Sequence, residues 1–334
     1  MNKSLILALF FSVTLGSISF GQISLAYGEG SEKLAFINEN RFPGLEEPVP
    51  YGPLSFRISD NHFWVADSVA GKIIKVDFKG KIVREFGALS TAAKKPKPAF
   101  KNDPCLQILI EDIAFEKGPY GSVKSVWVSD SFENKLIKID TTGKILKEIK
   151  HPAFIQLSRI EIGQGGHIFV ADKGAQKIFI FDHKYSLIGA VHWEWSGFAV
   201  SGADDKLHRV FFTEESRKLT LVTTDTKNIV LREIELELPI HLNPELWWVD
   251  EFNEDFVLTY TPKTGFAGKF VVVKIGFNGK VKQQSEMDAP IAMNRYIEHS
   301  DFEKLWIGKA NFNEAPEGKF EIVPFKFSAT NNRR

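Results

Sequence analysis

Three charged residues and one tryptophan have the types and positions expected of a binding site. Asp112, Arg159 and Arg295 each directly precede a short apolar segment, and Trp248 takes a comparable place in another segment. One acid, two arginines and an aromatic ring suit a small polar or anionic ligand better than a bare cation, because guanidinium groups bind oxyanions and repel cations. The alternative is that the arginines form structural ion pairs with Asp112 or Glu111.

Metal-dependent and nucleophilic chemistry have weaker support in the sequence. Calcium prefers oxygen ligands, and Glu111 or Asp112 with Asn294 could supply them, but Arg159 would place a positive charge beside the ion. The eight histidines do not recur at an equivalent position, and the sequence contains no G-x-S-x-G motif. We predict no cofactor and no metal site, and we leave open whether the protein is an enzyme.

The elements that would position these residues are set by an internal repeat. Three stretches share an aromatic residue at the second position, Val at the third, Asp at the fifth, Lys at the tenth and Asp at the fifteenth. They are FWVADSVAGKIIKVDFKGK from Phe63, VWVSDSFENKLIKIDTTGK from Val126 and IFVADKGAQKIFIFDHKYS from Ile168. Their short apolar runs, rich in Val, Ile, Phe and Trp, favour strands over helices. The repeat therefore predicts a β-hairpin followed by a turn into another strand.

The aspartates of the repeat are predicted to shape turns and loops. Asp77 and Asp140 are each followed three residues later by glycine, the arrangement of a β-turn in which the Asp side chain accepts backbone N–H groups. Asp67, Asp130 and Asp172 come at the ends of strands, where loop capping is the simplest role. A ligand role is the alternative for these three.

Weaker copies of the pattern extend the repeat to six units. VFFTEESRKLTLVTTD from Val210, VVVKIGFNGK from Val271 and LWIGK from Leu305 keep parts of it. Six units over residues 53–327 give about 46 residues each, within the roughly 40–50 residues of a propeller blade. The alternating segment LREIELEL, residues 231–238, has the pattern of an outermost strand with one exposed face.

The strand ending in V-A/S-D, the short loop, K-I/L, and the strand ending in Asp before G-K resemble NHL-type repeats of six-bladed β-propellers. The resemblance implies an all-β, six-bladed β-propeller that occupies residues 22–334 as a single domain. A propeller must close its ring, since an open sheet edge would otherwise be exposed. We predict that the segment KLAFIN, residues 33–38, pairs with the last blade and closes it.

Residues 1–21 have the features of a secretory signal peptide. One lysine precedes an apolar run from Leu5 to Leu15, and small residues precede a cleavage point ahead of Gln22. The run is shorter than the roughly 18–20 residues needed to span a bilayer. We expect a secreted or periplasmic protein with no membrane insertion after cleavage.

Charge and composition argue against two classes of partner. Lys and Arg total 42 and Asp and Glu total 42, so no net field favours nucleic acid or an anionic membrane. The single cysteine, Cys105, cannot form an internal disulfide.

We expect a monomer that binds a small polar or anionic ligand, or a protein or glycan partner, at the channel mouth or loop face. A metal-dependent lyase or hydrolase of the lactonase kind, acting in the channel, is the alternative.

Overall fold

The computed structural model describes most of the chain after the predicted leader. The described residues are 21–28, 30, 32–37, 51–87, 89, 108–118, 121–213, 218–238, 241–262, 268–288, 293–300, 304–310, 315 and 317–328. Within them, 24 strands form six four-stranded antiparallel sheets. This part of the chain has no helix long and apolar enough to cross a membrane. Residues 1–20 and Cys105 lie outside the described residues.

Each sheet is one blade, and its strands are consecutive in the chain except in blade 6, where the N-terminal strand joins the last three. Blades 1 to 3 are β2 (Ser55–Ser59), β3 (His62–Asp67), β4 (Lys72–Asp77), β5 (Ile82–Phe86); β6 (Ile110–Lys117), β7 (Val123–Asp130), β8 (Lys135–Asp140), β9 (Ile145–Lys150); and β10 (Leu157–Ile162), β11 (Ile168–Asp172), β12 (Lys177–Phe181), β13 (Leu187–His192). Blades 4 to 6 are β14 (Phe198–Ser201), β15 (Lys206–Thr213), β16 (Lys218–Thr224), β17 (Val230–Leu236); β18 (His241–Asp250), β19 (Asp255–Pro262), β20 (Lys269–Gly276), β21 (Val281–Asp288); and β22 (Ile297–His299), β23 (Leu305–Ala310), β24 (Lys319–Phe325), β1 (Ile23–Ala26). The predicted six-bladed β-propeller is confirmed.

The turns between the third and fourth strands of the first three blades follow the predicted chemistry. The side-chain oxygen of Asp77, Asp140 or Asp182 accepts the backbone N–H groups of the residues two and four positions later. Gly80 and Gly143 adopt φ values of 84° and 93°, which residues with a Cβ adopt only at a cost. Tyr185 has a φ of 66° at the same position of the third turn, so the turn requires a positive φ there and favours glycine without depending on it.

The aspartates that end the second strand of these blades cap backbone groups. Asp130 accepts the N–H of Leu109 at 3.0 Å, and Asp172 accepts that of Ile155 at 2.7 Å. Each of these N–H groups belongs to the segment that leads into the innermost strand of the same blade. Asp67 likewise accepts two backbone N–H groups. All three aspartates are buried, and the predicted capping role is confirmed.

Hydrophobic contacts between neighbouring blades form the core. Trp64 and Trp127, at the same position of the repeat, are buried between blades 1 and 2 and between blades 2 and 3. Trp64 stacks on Phe86 with ring centroids 5.3 Å apart. Large aromatic side chains remove much apolar surface from water, so each blade is stabilised mainly by the blades beside it.

An N-terminal strand closes the ring, but it is not the predicted one. β1 pairs antiparallel with β24, and Ile23 lies opposite Ile322. Buried and exposed side chains alternate along β1, as an outermost strand with one exposed face requires. The prediction for residues 33–38 is wrong, because the described residues 33–37 make only isolated bridges. Phe36 and Ile37 are adjacent and both buried, so this segment lacks the alternation of buried and exposed side chains that an outermost strand requires.

Candidate functional site

The innermost strands β2, β6, β10, β14, β18 and β22 line the central channel, and neighbouring ones contact one another around the ring. Parallel bridges join Ser55 to Arg295 and Gly197 to Leu246 at the end of the channel where β2 and β14 begin. We call this end of the channel the mouth. Residues at the starts of different blades are therefore brought within reach of one another there.

The parallel bridges correct the predicted alignment of blade 5. Leu246, and not Trp248, lies level with Gly197. Irregularities in the pairing of β18 with β19 shift its register, and a repeat pattern cannot locate them. Gly197 has a φ of 71°, and a Cβ there would lie 2.4 Å from the carbonyl oxygen of Leu246, so this close approach of two strands requires glycine.

Two of the predicted site residues pair with each other inside the channel. Arg295 Nη2 lies 3.0 Å from Asp112 Oδ2 and 2.6 Å from Glu161 Oε1. Arg57 Nη2 lies 3.4 Å from Asp112 Oδ2 and 3.1 Å from Glu161 Oε1. We call Arg57, Asp112, Glu161 and Arg295 the channel plug. Its ion pairs correspond to the structural alternative considered for the arginines.

The carboxylate at the centre of the plug is buried and fully engaged. Asp112 accepts hydrogen bonds from Ser55 Oγ at 2.5 Å and from the N–H of Ile160 at 3.1 Å, besides those from the arginines. Burial alone would raise its pKa, but Arg295 and Arg57 outweigh burial and hold the pKa of Asp112 below its usual value. Asp112 is therefore charged at neutral pH.

Arg159, the third predicted arginine, lies at the mouth side of the plug. Its Nη2 lies 2.5 Å from Glu245 Oε1, and its Nε and Nη2 donate to the carbonyl oxygen of Asn294 at 3.1 and 2.9 Å. The guanidinium carbon also lies 3.9 Å from the ring centroid of Trp247, in cation–π contact. Burial raises the pKa of Glu245, and Arg159 opposes that rise.

A cavity of about 350 Å³ opens at the mouth, and we call it the mouth cavity. It is lined by aromatic, charged and amide side chains together with two apolar ones: Tyr51, Leu54, Glu111, Gln156, Arg159, Lys173, Trp193, Trp195, Glu245, Met293 and Asn294. The volume lies in the range of sites for small molecules, and more than half of the lining side chains are charged or amide, so the cavity favours a polar guest.

The charges around the mouth cavity balance. Glu245 is paired with Arg159, and Glu111 Oε2 lies 3.8 Å from Lys173 Nζ. Burial raises the pKa of Glu111, while Lys173 and Ser131 oppose the rise. The side chain of Lys173 is 34% exposed, so its ammonium group is open to a molecule in the cavity.

Two tryptophans that break the repeat form one side of the mouth cavity. Trp193 is buried, whereas Trp195 is 56% exposed. Trp195 has a φ of 61°, rare for a bulky residue, and its Nε1 donates to the carbonyl oxygen of Lys173 at 3.2 Å. The backbone conformation and this hydrogen bond together hold the indole of Trp195 at the rim of the mouth cavity.

Trp248 lines a different space, a cavity of about 140 Å³ farther along the innermost strands. We call it the inner cavity, and its walls are Arg57, Glu161, Ala199, Val200, Trp247, Trp248, Val249, Ile297, Glu298, His299 and Leu305. The indole of Trp248 stacks on His299, with centroids 3.9 Å apart. Among the four predicted residues, the structure thus brings Asp112 and Arg295 into contact, places Arg159 in the mouth cavity and places Trp248 in the inner cavity.

Four charged residues of the channel, Arg57, Glu161, Glu245 and Glu298, are absent from the predicted site. A signal for two of them is present in the sequence, because Arg57 and Glu161 lie two residues after Ser55 and Arg159 in the same strands. Side chains two apart in a strand share a face, so the channel face continues through them. Glu245 has no such signal, since it lies in the irregular part of β18.

The residues considered for a calcium-type site are engaged with other partners. Asn294 Oδ1 accepts from Ser158 Oγ at 3.0 Å, its Nδ2 donates to the carbonyl oxygen of Glu111 at 3.1 Å, and Asp112 binds the arginines of the plug. In the described part of the chain, no three His, Cys, Asp or Glu side chains converge in a way that could hold a metal ion.

Several solved structures are similar to this chain. A candidate exported protein from Bacteroides fragilis has 10% sequence identity and a TM-score of 0.53, over 89% of this chain and 95% of that chain. The virginiamycin B lyase from Staphylococcus aureus has 15% identity and a TM-score of 0.44, over 89% of each chain. A streptogramin B lyase has 14% identity and a TM-score of 0.46, over 87% of this chain and 97% of that chain.

These similarities are distant. At such low identity the Bacteroides fragilis structure supports the fold alone, and the TM-scores of the two lyases are too low to support any argument. No protein-family model matches the sequence, and no curated protein is significantly similar to it. The resemblance to NHL-type repeats remains a prediction.

Proposed function

We propose that this protein is an exported binding protein that holds a small polar ligand in the mouth cavity. The observation that carries the proposal is the cavity itself, about 350 Å³ in volume, in which an exposed indole and charged groups face the same space. Concave sites of this kind use aromatic walls for contact area and a few polar groups for orientation. The six blades supply a rigid frame, so the site is formed before the ligand arrives.

The charges favour a ligand that is neutral overall or zwitterionic. Glu111 and Glu245 are matched by Lys173 and Arg159, so neither a bare cation nor a bare anion gains from a net field. The guanidinium of Arg159 is committed to protein acceptors. Lys173 and Glu111 are therefore the groups best placed to donate to and accept from the ligand.

Trp195 supplies the apolar contact. Trp195 is 56% exposed. Its Nε1 is fixed by a hydrogen bond, and its backbone has an unfavourable positive φ. Strained residues persist where the surrounding structure holds them, frequently at binding sites. A polar molecule with one apolar face, such as the C–H face of a sugar ring, would stack on this indole.

In this proposal the other predicted residues support the site. Asp112 and Arg295 hold the floor of the mouth cavity by joining the strands beneath it, and Trp248 contributes to the inner cavity. Export rests on the predicted leader of residues 1–21, because soluble binding proteins with such a leader act outside the cytoplasm.

The test is isothermal titration calorimetry of the mature chain with a panel of monosaccharides, disaccharides and free amino acids. We expect at least one compound to bind saturably and Trp195→Ala to weaken that binding by about tenfold, because the indole provides stacking area. Phe252→Ala is the matched control, since Phe252 is 93% exposed and is not part of the mouth cavity.

Two results would contradict the proposal: saturable binding that Trp195→Ala leaves unchanged, or no binding across the panel. Turnover of a bound compound that requires a divalent ion would instead support the lyase or hydrolase alternative.

A further inference from the structure

The inner cavity contains a carboxylate that the rest of the channel does not use. Glu298 Oε2 lies 3.7 Å from Arg57 Nη1 and 3.7 Å from Arg295 Nη1, beyond hydrogen-bonding distance. Among the residues that the structure describes, no donor hydrogen-bonds to Glu298. Its side chain is 15% exposed and lines the cavity. A guest with a suitable donor could therefore reach this carboxylate.

The charges of the channel leave this carboxylate in excess. The carboxylates of Asp112, Glu161 and Glu298 face two guanidinium groups, those of Arg57 and Arg295. Both Asp112 and Glu161 make hydrogen bonds with these arginines, whereas Glu298 has only the longer ion pairs at 3.7 Å. A buried carboxylate without a hydrogen-bonded partner is costly, so a guest with one positive charge would be stabilised here.

Seven of the eleven side chains that line the inner cavity are apolar, and we call them the apolar wall. They are aliphatic side chains and the indoles of two tryptophans: Ala199, Val200, Val249, Ile297, Leu305, Trp247 and Trp248. The volume of about 140 Å³ is close to that of an apolar protein cavity of about 150 Å³ known to hold benzene. The space therefore matches a body of about four to six carbon atoms.

We propose that the inner cavity is a second binding site, which takes a small protonated monoamine with its ammonium group on Glu298 and its hydrocarbon body against the apolar wall. An amine fits better than a metal ion, because a metal ion requires several oxygen ligands and most of this wall offers none. The nearby guanidinium groups also disfavour a divalent charge, whereas an ammonium group carries a single charge and three donors.

The charge of Glu298 makes binding depend on pH. Burial raises its pKa to about 7, against the opposing effect of Arg57 and Arg295. The charged groups that act on it are Arg57 from β2, Asp112 from β6, Glu161 from β10 and Arg295 ahead of β22, and the imidazole of His299 from β22 lines the same cavity. A proton occupies the carboxyl group below this pKa, while an alkylamine stays protonated throughout. Binding should therefore be tighter at pH 8.5 than at pH 5.5.

The experiment is calorimetric titration of the mature chain with n-butylamine, with 1-butanol as the uncharged probe of the same size. We expect butylamine to bind at pH 8.5 with a Kd of about 1 mM or below, as the best very small ligands can, and to bind at least tenfold more weakly at pH 5.5. Glu298→Gln should weaken binding at pH 8.5 by about tenfold or more, since it removes the charge. Glu286→Gln, on the exposed face of β21, changes the net charge equally and should leave binding unchanged.

A second variant keeps the test decisive if Glu298→Gln folds poorly. Val200→Phe adds volume to the apolar lining of the cavity without changing any charge, and we expect it to abolish butylamine binding. Equal binding of butylamine and 1-butanol, unchanged binding in a folded Glu298→Gln protein, or unchanged binding in Val200→Phe would each overturn the proposal.

Discussion

At the scale of single residues, Asp112 shows how a buried charge is held in this channel. It accepts hydrogen bonds from Ser55, Arg295 and the backbone of blades 2 and 3, so one carboxylate joins four of the six blades. Two arginines lower its pKa although burial would raise it. The stability of the fold is sensitive to substitution of these residues, because loss of one ion leaves the others buried without compensation.

We expect Asp112→Asn to lower the free energy of unfolding by about 3–5 kcal/mol, the usual cost of removing one partner from a buried ion pair. Equilibrium unfolding in urea measures this change. Asp288→Asn is the control, since Asp288 is an exposed acid paired with Lys269, and it should leave the unfolding midpoint nearly unchanged. Similar midpoints for the two variants would show that the plug does not stabilise the fold.

At the scale of elements, β1 decides whether the ring is closed. Four residues complete blade 6 by pairing with β24, and without them that strand would expose an unpaired edge. Ile23 and Leu25 are buried in the cluster formed between blade 6 and blade 1. The strand therefore contributes both hydrogen bonds and apolar contact.

We expect Leu25→Ala to lower the free energy of unfolding by about 2–4 kcal/mol, because it leaves a cavity beneath the closing strand. Ser24→Ala, on the exposed face of the same strand, should have little effect. Thermal unfolding followed by circular dichroism compares the two variants. Equal melting temperatures would mean that β1 does not stabilise the closed ring.

At the scale of the whole molecule, the channel plug separates two cavities of different character. The mouth cavity is larger and charge-balanced, whereas the inner cavity holds the excess carboxylate of Glu298.

Buried groups also couple folding to pH. Burial raises the pKa of Asp67 and of Glu298 to about 6 and about 7, and lowers that of His208 to about 4. As pH rises, titration of the two carboxyl groups lowers the free energy of unfolding, whereas titration of the imidazole raises it.

Glu298 should make the fold less stable as pH rises. Its pKa is raised to about 7 from 4.5, so the folded state keeps a proton that the unfolded state releases, and the free energy of unfolding falls between these two values. The total loss is on the order of 3 kcal/mol for a shift of this size. We expect the melting temperature of Glu298→Gln, relative to the parent protein, to rise from pH 5 to pH 8. A difference that stays constant with pH would show that Glu298 does not titrate in this range.

The sequence by itself determined the blades and their number. The spacing of Asp67 and Asp77, repeated in two further units, specifies a hairpin and a turn through contacts between residues close in the chain. The alternation in residues 231–238 likewise marks an outermost strand. Such signals are local, because turn chemistry and the two-residue period of a strand involve neighbouring residues.

Only the tertiary structure decided which of these residues meet. Asp112 and Arg295 are 183 residues apart, and nothing local distinguishes their pairing from a pairing of Arg159 with Glu111. The register of β18, which moves Trp248 away from the mouth, depends on its irregular pairing with β19. The closing strand also depends on a partner at the far end of the chain. Contacts across the channel depend on the positions of all six blades, so they exist only once the ring is closed.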